Sequence, residues 1–220
     1  MRLILRLLRP FFYLLYHQFA WTYDFVAACV SLGHWKAWVL GTLPYIKGQS
    51  VLEVGHGPGH LQLALNEAGY QVYGLDESRF MSRLASSRLK KKQYPLRLSR
   101  GYAQDLPFAH DSFDSLVSTF PTEYIFDPQT LAEVHRVLTP GGQLVILPVA
   151  WITGGRPLER LAAWLFRVTG QAQGQPGQLN PLIQERFTRA GFHVRGEAVR
   201  QGPSLLLFII ASKAGQRKSF

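Results

Sequence analysis

Val51-Leu52-Glu53-Val54-Gly55-His56-Gly57-Pro58-Gly59-His60 decides the fold. An apolar run, suited to a strand covered on both faces, gives way at once to glycines at 55, 57 and 59. Pro58 suits a first helical position. The reading is strand, tight turn, helix. Glycines let the backbone turn sharply and approach a ligand without Cβ interference, and the helix start offers unpaired N–H groups at the same place. The dinucleotide fingerprint G-x-G-x-x-G would need glycine at position 60, where this chain has His60. On the glycines alone, a turn that binds nothing stays open.

Outward from this turn, strands and helices alternate. Two helical stretches, about 2–18 and 23–46, come first and are rich in aromatic residues. Strand 50–54 is followed by a helix at 58–68, a strand at 71–75 and a helix from Ser78 that places Met81, Leu84, Ala85 and Leu89 on one face. Further strands are expected at 96–100, 113–119 and 143–149, with a helix at 129–138 and a turn at Thr139-Pro140-Gly141-Gly142. This alternation means a parallel sheet with helices on both faces. After a helix near 181–190, strands 192–200 and 205–212 are separated only by Gln201-Gly202-Pro203-Ser204. A parallel crossover needs a dozen or more residues, so these two must form an antiparallel hairpin. The expected fold is α/β: a Rossmann-like three-layer sandwich on a mostly parallel, seven-stranded sheet with a final antiparallel strand.

A second chemical signal is Gly74-Leu75-Asp76-Glu77. Asp76 lies 21 residues after Gly55, which puts a carboxylate at the carboxyl edge of the neighbouring strand. There it can accept both hydroxyl hydrogens of a ribose. Nicotinamide sites share this feature, and a surface or capping acid is the bland reading.

Composition bounds the rest. The 220 residues suit one domain with an appendage, and 47% hydrophobic against 17% charged residues excludes a disordered chain. Cys29 is the only cysteine, so no disulfide framework or thiol-rich metal site is expected. The seven histidines are scattered without metal-ligand pairing, and no metal is expected. A net charge of +10 suits anionic partners such as RNA or a lipid surface, and equally a generally basic proteome. At the start, MRLILRLLRPFF carries Arg2, Arg6 and Arg9 within a sector of about 60° of a helix. These arginines interrupt the apolar stretch that a signal peptide keeps intact. No run reaches the roughly 20 apolar residues of a membrane span. Residues 1–16 fit an amphipathic helix, either on a membrane surface or capping the domain's own core. A cytoplasmic location follows, peripheral to the membrane in the first case.

Five motifs recur in order: Glu53-Val-Gly-His-Gly-Pro-Gly; Leu75-Asp76; Ala103-Gln104-Asp105-Leu106-Pro107-Phe108; Ser112-Phe113-Asp114; and Arg136-Val137-Leu138-Thr139-Pro140-Gly141-Gly142. Together they resemble the class I methyltransferase family that includes the ubiquinone/menaquinone-biosynthesis enzymes. The likeness covers residues 50–149, and Phe19-Ala20-Trp21-Thr22-Tyr23-Asp24 more loosely. A final antiparallel strand is the ending such a family implies. The resemblance implies S-adenosyl-L-methionine as donor and S-adenosyl-L-homocysteine as product. It implies that Gly55, His56 and Gly57 line the donor's amino-acid end, with Glu53 supporting the loop and Asp76 on the ribose. Glu77 or Met81, with Ala103 and Gln104, would meet the adenine. Thr119 and Phe120 would form a floor, and Tyr23 would close a lid of residues 1–48 over the domain at 49–220. One departure stands out: Tyr102 occupies the place where the family usually has an acid for the adenine amino group.

Methyl transfer from a sulfonium is an in-line displacement that alignment alone can promote. If a hydroxyl acceptor needs a base, His17, Glu123 and Tyr124 are the candidates, each equally readable as a capping or packing residue. The insertion at 151–181 is where an acceptor cap is expected, and a small hydrophobic acceptor is the first reading. The basic helix at 79–92 motivates a second, RNA or protein methylation. Tyr102 motivates a third, a donor-binding protein without turnover. Nicotinamide-dependent reduction is disfavoured by His60 and the terminal hairpin.

Overall fold

The computed structural model describes Ser31, residues 33–153 and residues 179–215. The expected helices at 2–18 and 156–168, most of that at 23–46, His17, Tyr23 and the Gln/Gly-rich stretch at 171–178 lie outside them. In chain order the elements are α1 (Trp35–Leu40), a 3-10 turn (Leu43–Tyr45), β1 (Ser50–Val54), α2 (His60–Glu67), β2 (Gln71–Asp76), α3 (Arg79–Lys91) and β3 (Leu98–Arg100). They continue with β4 (Phe113–Thr119), a 3-10 helix (Glu123–Phe126), α4 (Pro128–Val137), β5 (Leu138–Ile152), α5 (Pro181–Arg189), β6 (Phe192–Gln201) and β7 (Ser204–Lys213).

The seven strands form one sheet in the order β3-β2-β1-β4-β5-β7-β6. Pairings among the first five positions are parallel, and β7 runs antiparallel to both neighbours. This is the fold expected from the alternation and the hairpin. Gly202, at φ 56, and Pro203 join β6 to β7 in the residue order of a type II′ turn.

Strand alternation sorts the core into two layers. Leu52, Leu116, Leu144 and Ile146 pack with Leu131 and Val134 of α4 and Phe187 of α5. Val51, Val117 and Val145 point the other way, against Val39 of α1 and Leu61 and Leu65 of α2. Residues 33–48 are fastened to the sheet as well. Trp38 packs on Leu147, Leu206 and Phe208, and the Tyr45 hydroxyl donates to Glu197 at 2.8 Å.

Two boundaries differ from the sequence reading, each for a local reason. Helix α2 starts at His60 and not at Pro58, because Gly59 holds a left-handed φ of 82 as its N-cap. The turn at Thr139-Pro140-Gly141-Gly142 lies inside β5: Leu138 pairs with Phe113 and Gln143 with Ser115, so four residues bulge opposite Asp114. Asp114 closes this end of the sheet, its Oδ2 accepting the N–H groups of Gln49 and Ser50 at 2.8 and 3.0 Å.

The chain leaves β1 toward β2 on one side of the sheet, while β4 flanks β1 on the other. Ligands of open α/β sheets bind at such a switch point, outside the carboxyl ends of the strands.

Candidate donor site at the end of the first strand

The turn after β1 is held from both sides. Gly55 N–H donates to Leu75 O at 2.8 Å, and Gly57 N–H donates to Asp76 Oδ2 at 2.8 Å. Asp76 Oδ1 accepts the Ser78 N–H at 2.8 Å, and Ser78 caps α3 through the Met81 N–H at 3.3 Å. One carboxylate thus ties the glycine turn of β1 to the start of α3. A carboxylate oxygen accepts more than one hydrogen bond, so both remain able to take a diol. Above Gly57 there is room: a Cβ built on it meets no atom within 4 Å. At Gly59 there is none, since a Cβ would lie 2.7 Å from the Ala85 Cβ.

Glu53 lies beneath the turn, fully buried, with Oε2 accepting from Gln62 Nε2 at 2.9 Å. Burial pushes its carboxyl up to about 8, the nearby charge of Asp76 adding to the effect and the Gln62 hydrogen bond opposing it. The acid binds its proton more tightly folded than unfolded, so its contribution to stability falls as pH rises from about 4.5 to about 8. Glu53→Gln is expected to flatten that part of the stability–pH curve, measured by urea unfolding of both proteins at pH 5 and pH 8. An unchanged slope would contradict the assignment.

His56 is buried, with Nδ1 2.7 Å from Gly57 O. Because a carbonyl only accepts, Nδ1 carries the hydrogen and Nε2 is the acceptor of the neutral ring. Burial lowers the pKa of the ring, favouring this neutral form. Nε2 is buried with no partner among the described residues. It is a lone pair awaiting a donor beside the turn.

Tyr124, on the 3-10 helix after β4, covers the turn from the other side. Its hydroxyl lies 3.3 Å from Ser118 Oγ and 3.5 Å from Val54 O, and a Cβ on Gly55 would come within 2.6 Å of it. Burial pushes the phenol up to about 12, with Asp76, Glu53 and Glu77 adding to the effect. It keeps its proton at neutral pH, so it serves as a positioning group and not as a base. Glu123 beside it is exposed.

The expected adenine residues gather along the edge formed by β2, α3 and the loop after β3. Met81 and Ala103 are buried, Glu77 is exposed, and Gln104 O accepts from Gln129 Nε2 at 3.1 Å. Tyr102 is 66% exposed. Thr119 ends β4, and Phe120 follows at φ 50, a strained value for a bulky residue. Its ring stacks on Trp35 at 4.2 Å, which joins the exit of β4 to α1.

Several residues of this region carried no role in the sequence reading. Gln62, which also donates to Tyr73 O at 3.1 Å, is a lone polar residue between Leu61 and Leu65. Arg136 and Glu133, one helical turn apart, grip the loop after β3. Arg136 donates to Phe108 O at 2.7 Å and Leu106 O at 2.9 Å, while Glu133 Oε2 accepts the Leu106 N–H at 2.8 Å. The two side chains pair at 2.6 Å. The only hint was an acid three residues before an arginine. Arg136→Ala should cost about 1–3 kcal/mol of stability and speed amide exchange at Leu106, because it leaves two carbonyls and a carboxylate short of donors. Unchanged exchange at Leu106 would remove the clamp from the account.

Among the described residues, no group of three or more His, Cys, Asp or Glu side chains is placed to hold a metal ion. No helix there is long and apolar enough to cross a membrane.

Residues 52–146, which span β1 to the middle of β5, match the methyltransferase domain family. Turn, acid and sheet order agree with that match, and the chain belongs to the class I S-adenosylmethionine-dependent methyltransferases. A solved S-adenosylmethionine-dependent methyltransferase of Methanosarcina mazei shares the fold, with a TM-score of 0.52 and 23% identity over 79% of this chain and 97% of that one. Within the class, the chain is similar to the ubiquinone/menaquinone biosynthesis C-methyltransferase UbiE of Geotalea daltonii, 33% identical over 57% of each chain. It is similar, too, to the demethylmenaquinone methyltransferase of Symbiobacterium thermophilum, 30% identical over 70% of this chain and 63% of the relative. These matches leave more than a third of each relative uncovered.

Proposed function

We propose that the protein transfers a methyl group from S-adenosylmethionine to a small, hydrophobic acceptor of the quinone-precursor class. The observation that carries the donor half is the Asp76 carboxylate, bound to the Gly57 amide beside the open space over that glycine. The residues present fit the donor. Asp76 takes the ribose hydroxyls, and the buried His56 Nε2 offers a lone pair to the amino-acid end. Met81, Ala103 and the clamped loop at 106–108 bound the adenine side, with Gln104 and Glu77 at its rim. Bound there, the donor supplies a methyl group on a sulfonium sulfur, open to in-line displacement. The chain's own task is alignment and exclusion of water, which proximity makes sufficient for an activated acceptor. Tyr124, holding its proton, orients groups over the turn.

The acceptor half rests on the names of the similar relatives, which act in quinone biosynthesis. Labelled S-adenosylmethionine incubated with the protein and a demethylated quinone should give label in the organic phase. Label confined to RNA or protein fractions would overturn the acceptor class, and donor binding without turnover on any acceptor would overturn the enzyme. The RNA reading draws on one feature, the basic face of α3.

A further inference from the structure

From Ser78 to Gln104 the chain has eight cationic side chains and no acid. Three of them are engaged locally. Arg88 donates to Pro58 O, Arg97 lies 5.4 Å over the Tyr73 ring, and Arg100 donates to Glu77 O at 3.1 Å. The other five, Arg79, Arg83, Lys90, Lys91 and Lys92, are paired with no carboxylate of the described residues. Four of them line one shallow groove along the outer face of α3, between the hydroxyl-bearing Ser82, Ser86 and Ser87. The inner face is apolar and buried through Met81, Ala85 and Leu89. A solvated helix face of ordinary kind interleaves both signs of charge at spacings of three and four residues. This one carries a single sign over its whole length, about 18 Å at 1.5 Å per residue.

We infer that the outer face of α3 docks the protein on an anionic membrane surface. The charge is complementary to phosphate headgroups, which are small enough to sit between guanidinium, ammonium and serine hydroxyl groups along a convex ridge. The groove has no aromatic ring, whereas single-stranded nucleic-acid sites stack bases on such rings. Leu96, four residues past Lys92, is 44% exposed, an apolar side chain at the end of the stripe where the acyl boundary would lie. Each cation near an anionic leaflet contributes about 1 kcal/mol, so reversing three of them should have a large effect. None of the five belongs to the donor site. The inference stands whether or not the acceptor is a quinone.

The test is co-sedimentation of the full chain with phosphatidylcholine vesicles, with and without phosphatidylglycerol, at low and high salt. Wild-type protein is expected to bind only the anionic vesicles and to be released by salt. The variant R83E/K90E/K91E is expected to lose at least about a hundredfold in partitioning, with affinity for S-adenosylhomocysteine unchanged. The milder R83Q/K90Q/K91Q should fall between the two and guards against misfolding. Equal binding by wild type and the charge-reversed variant would overturn the proposal and assign any membrane contact to Arg2, Arg6 and Arg9. No vesicle binding, or α3-dependent binding to an RNA oligonucleotide alone, would overturn it too.

Discussion

Asp76→Ala is expected to weaken binding of S-adenosylhomocysteine by at least about a hundredfold, measured by titration calorimetry. Two charge-assisted hydrogen bonds to a ribose diol are worth about 1.5–3 kcal/mol each, and both vanish with the carboxylate. The substitution also frees the Gly57 and Ser78 N–H groups from their 2.8 Å bonds, so the turn loses its tie to α3. Asp76→Asn keeps the shape and one acceptor oxygen, and its loss should be intermediate. Thermal unfolding without ligand separates the two contributions. A purely structural role would lower the unfolding temperature while leaving affinity at permissive temperature nearly intact. Affinity unaltered in Asp76→Ala would contradict the donor site as described.

The second large effect concerns the fold beneath the site. Gly59→Ala should lower the unfolding temperature by roughly 5–15 °C. Its φ of 82 is left-handed, and the added Cβ would lie 2.7 Å from the Cβ and 2.9 Å from the Cα of Ala85 on α3. The left-handed conformation costs about 1–2 kcal/mol and overpacking about 1–3 kcal/mol more. For a chain of this size each kcal/mol shifts the midpoint by about 2–4 °C. Alanine has no flexible end to move aside, so backbone must give. Ala85→Gly in the same protein removes the obstruction and should recover part of the loss. Gly57→Ala makes the contrast: nothing lies within 4 Å of its Cβ, so the methyl would intrude on the donor's space and cut affinity more than stability. If Gly59→Ala unfolds at the wild-type temperature, the close approach of α2 and α3 is not what the glycine serves.

These two residues show which features can be read from a chain and which cannot. Gly59 and Asp76 were legible because their chemistry is local: a strand, a turn and a helix in immediate succession, then an acid at the end of the next strand. The sheet was legible for a similar reason, since alternation and a short hairpin leave few topologies. What escaped depends on partners far away in the chain. Tyr124 meets Gly55 and Val54 across about seventy residues, and nothing in Phe120-Pro121-Thr122-Glu123-Tyr124 announces a buried phenol. The pairing of Glu133 and Arg136 reads as a routine surface helix pair until the loop carbonyls of Leu106 and Phe108 are seen between them. Phe120 was expected as a floor for the donor. Its left-handed backbone sends the ring to Trp35, a turn that no propensity for a bulky aromatic predicts. Tyr102 was placed at a departure from the family pattern, and its outward ring leaves the adenine edge to Met81, Ala103 and the clamped loop.

The central claim is that a sulfonium nucleoside lies against the turn after β1, held by the acid that ends β2. Amide hydrogen exchange of the full protein, with and without saturating S-adenosylhomocysteine, tests this directly. Protection should concentrate in peptides covering Gly55–Gly59, Asp76–Ser78 and the loop at 103–108, while NAD at equal concentration leaves all three unchanged. Protection elsewhere with these three segments untouched, or the same footprint from NAD, would contradict it.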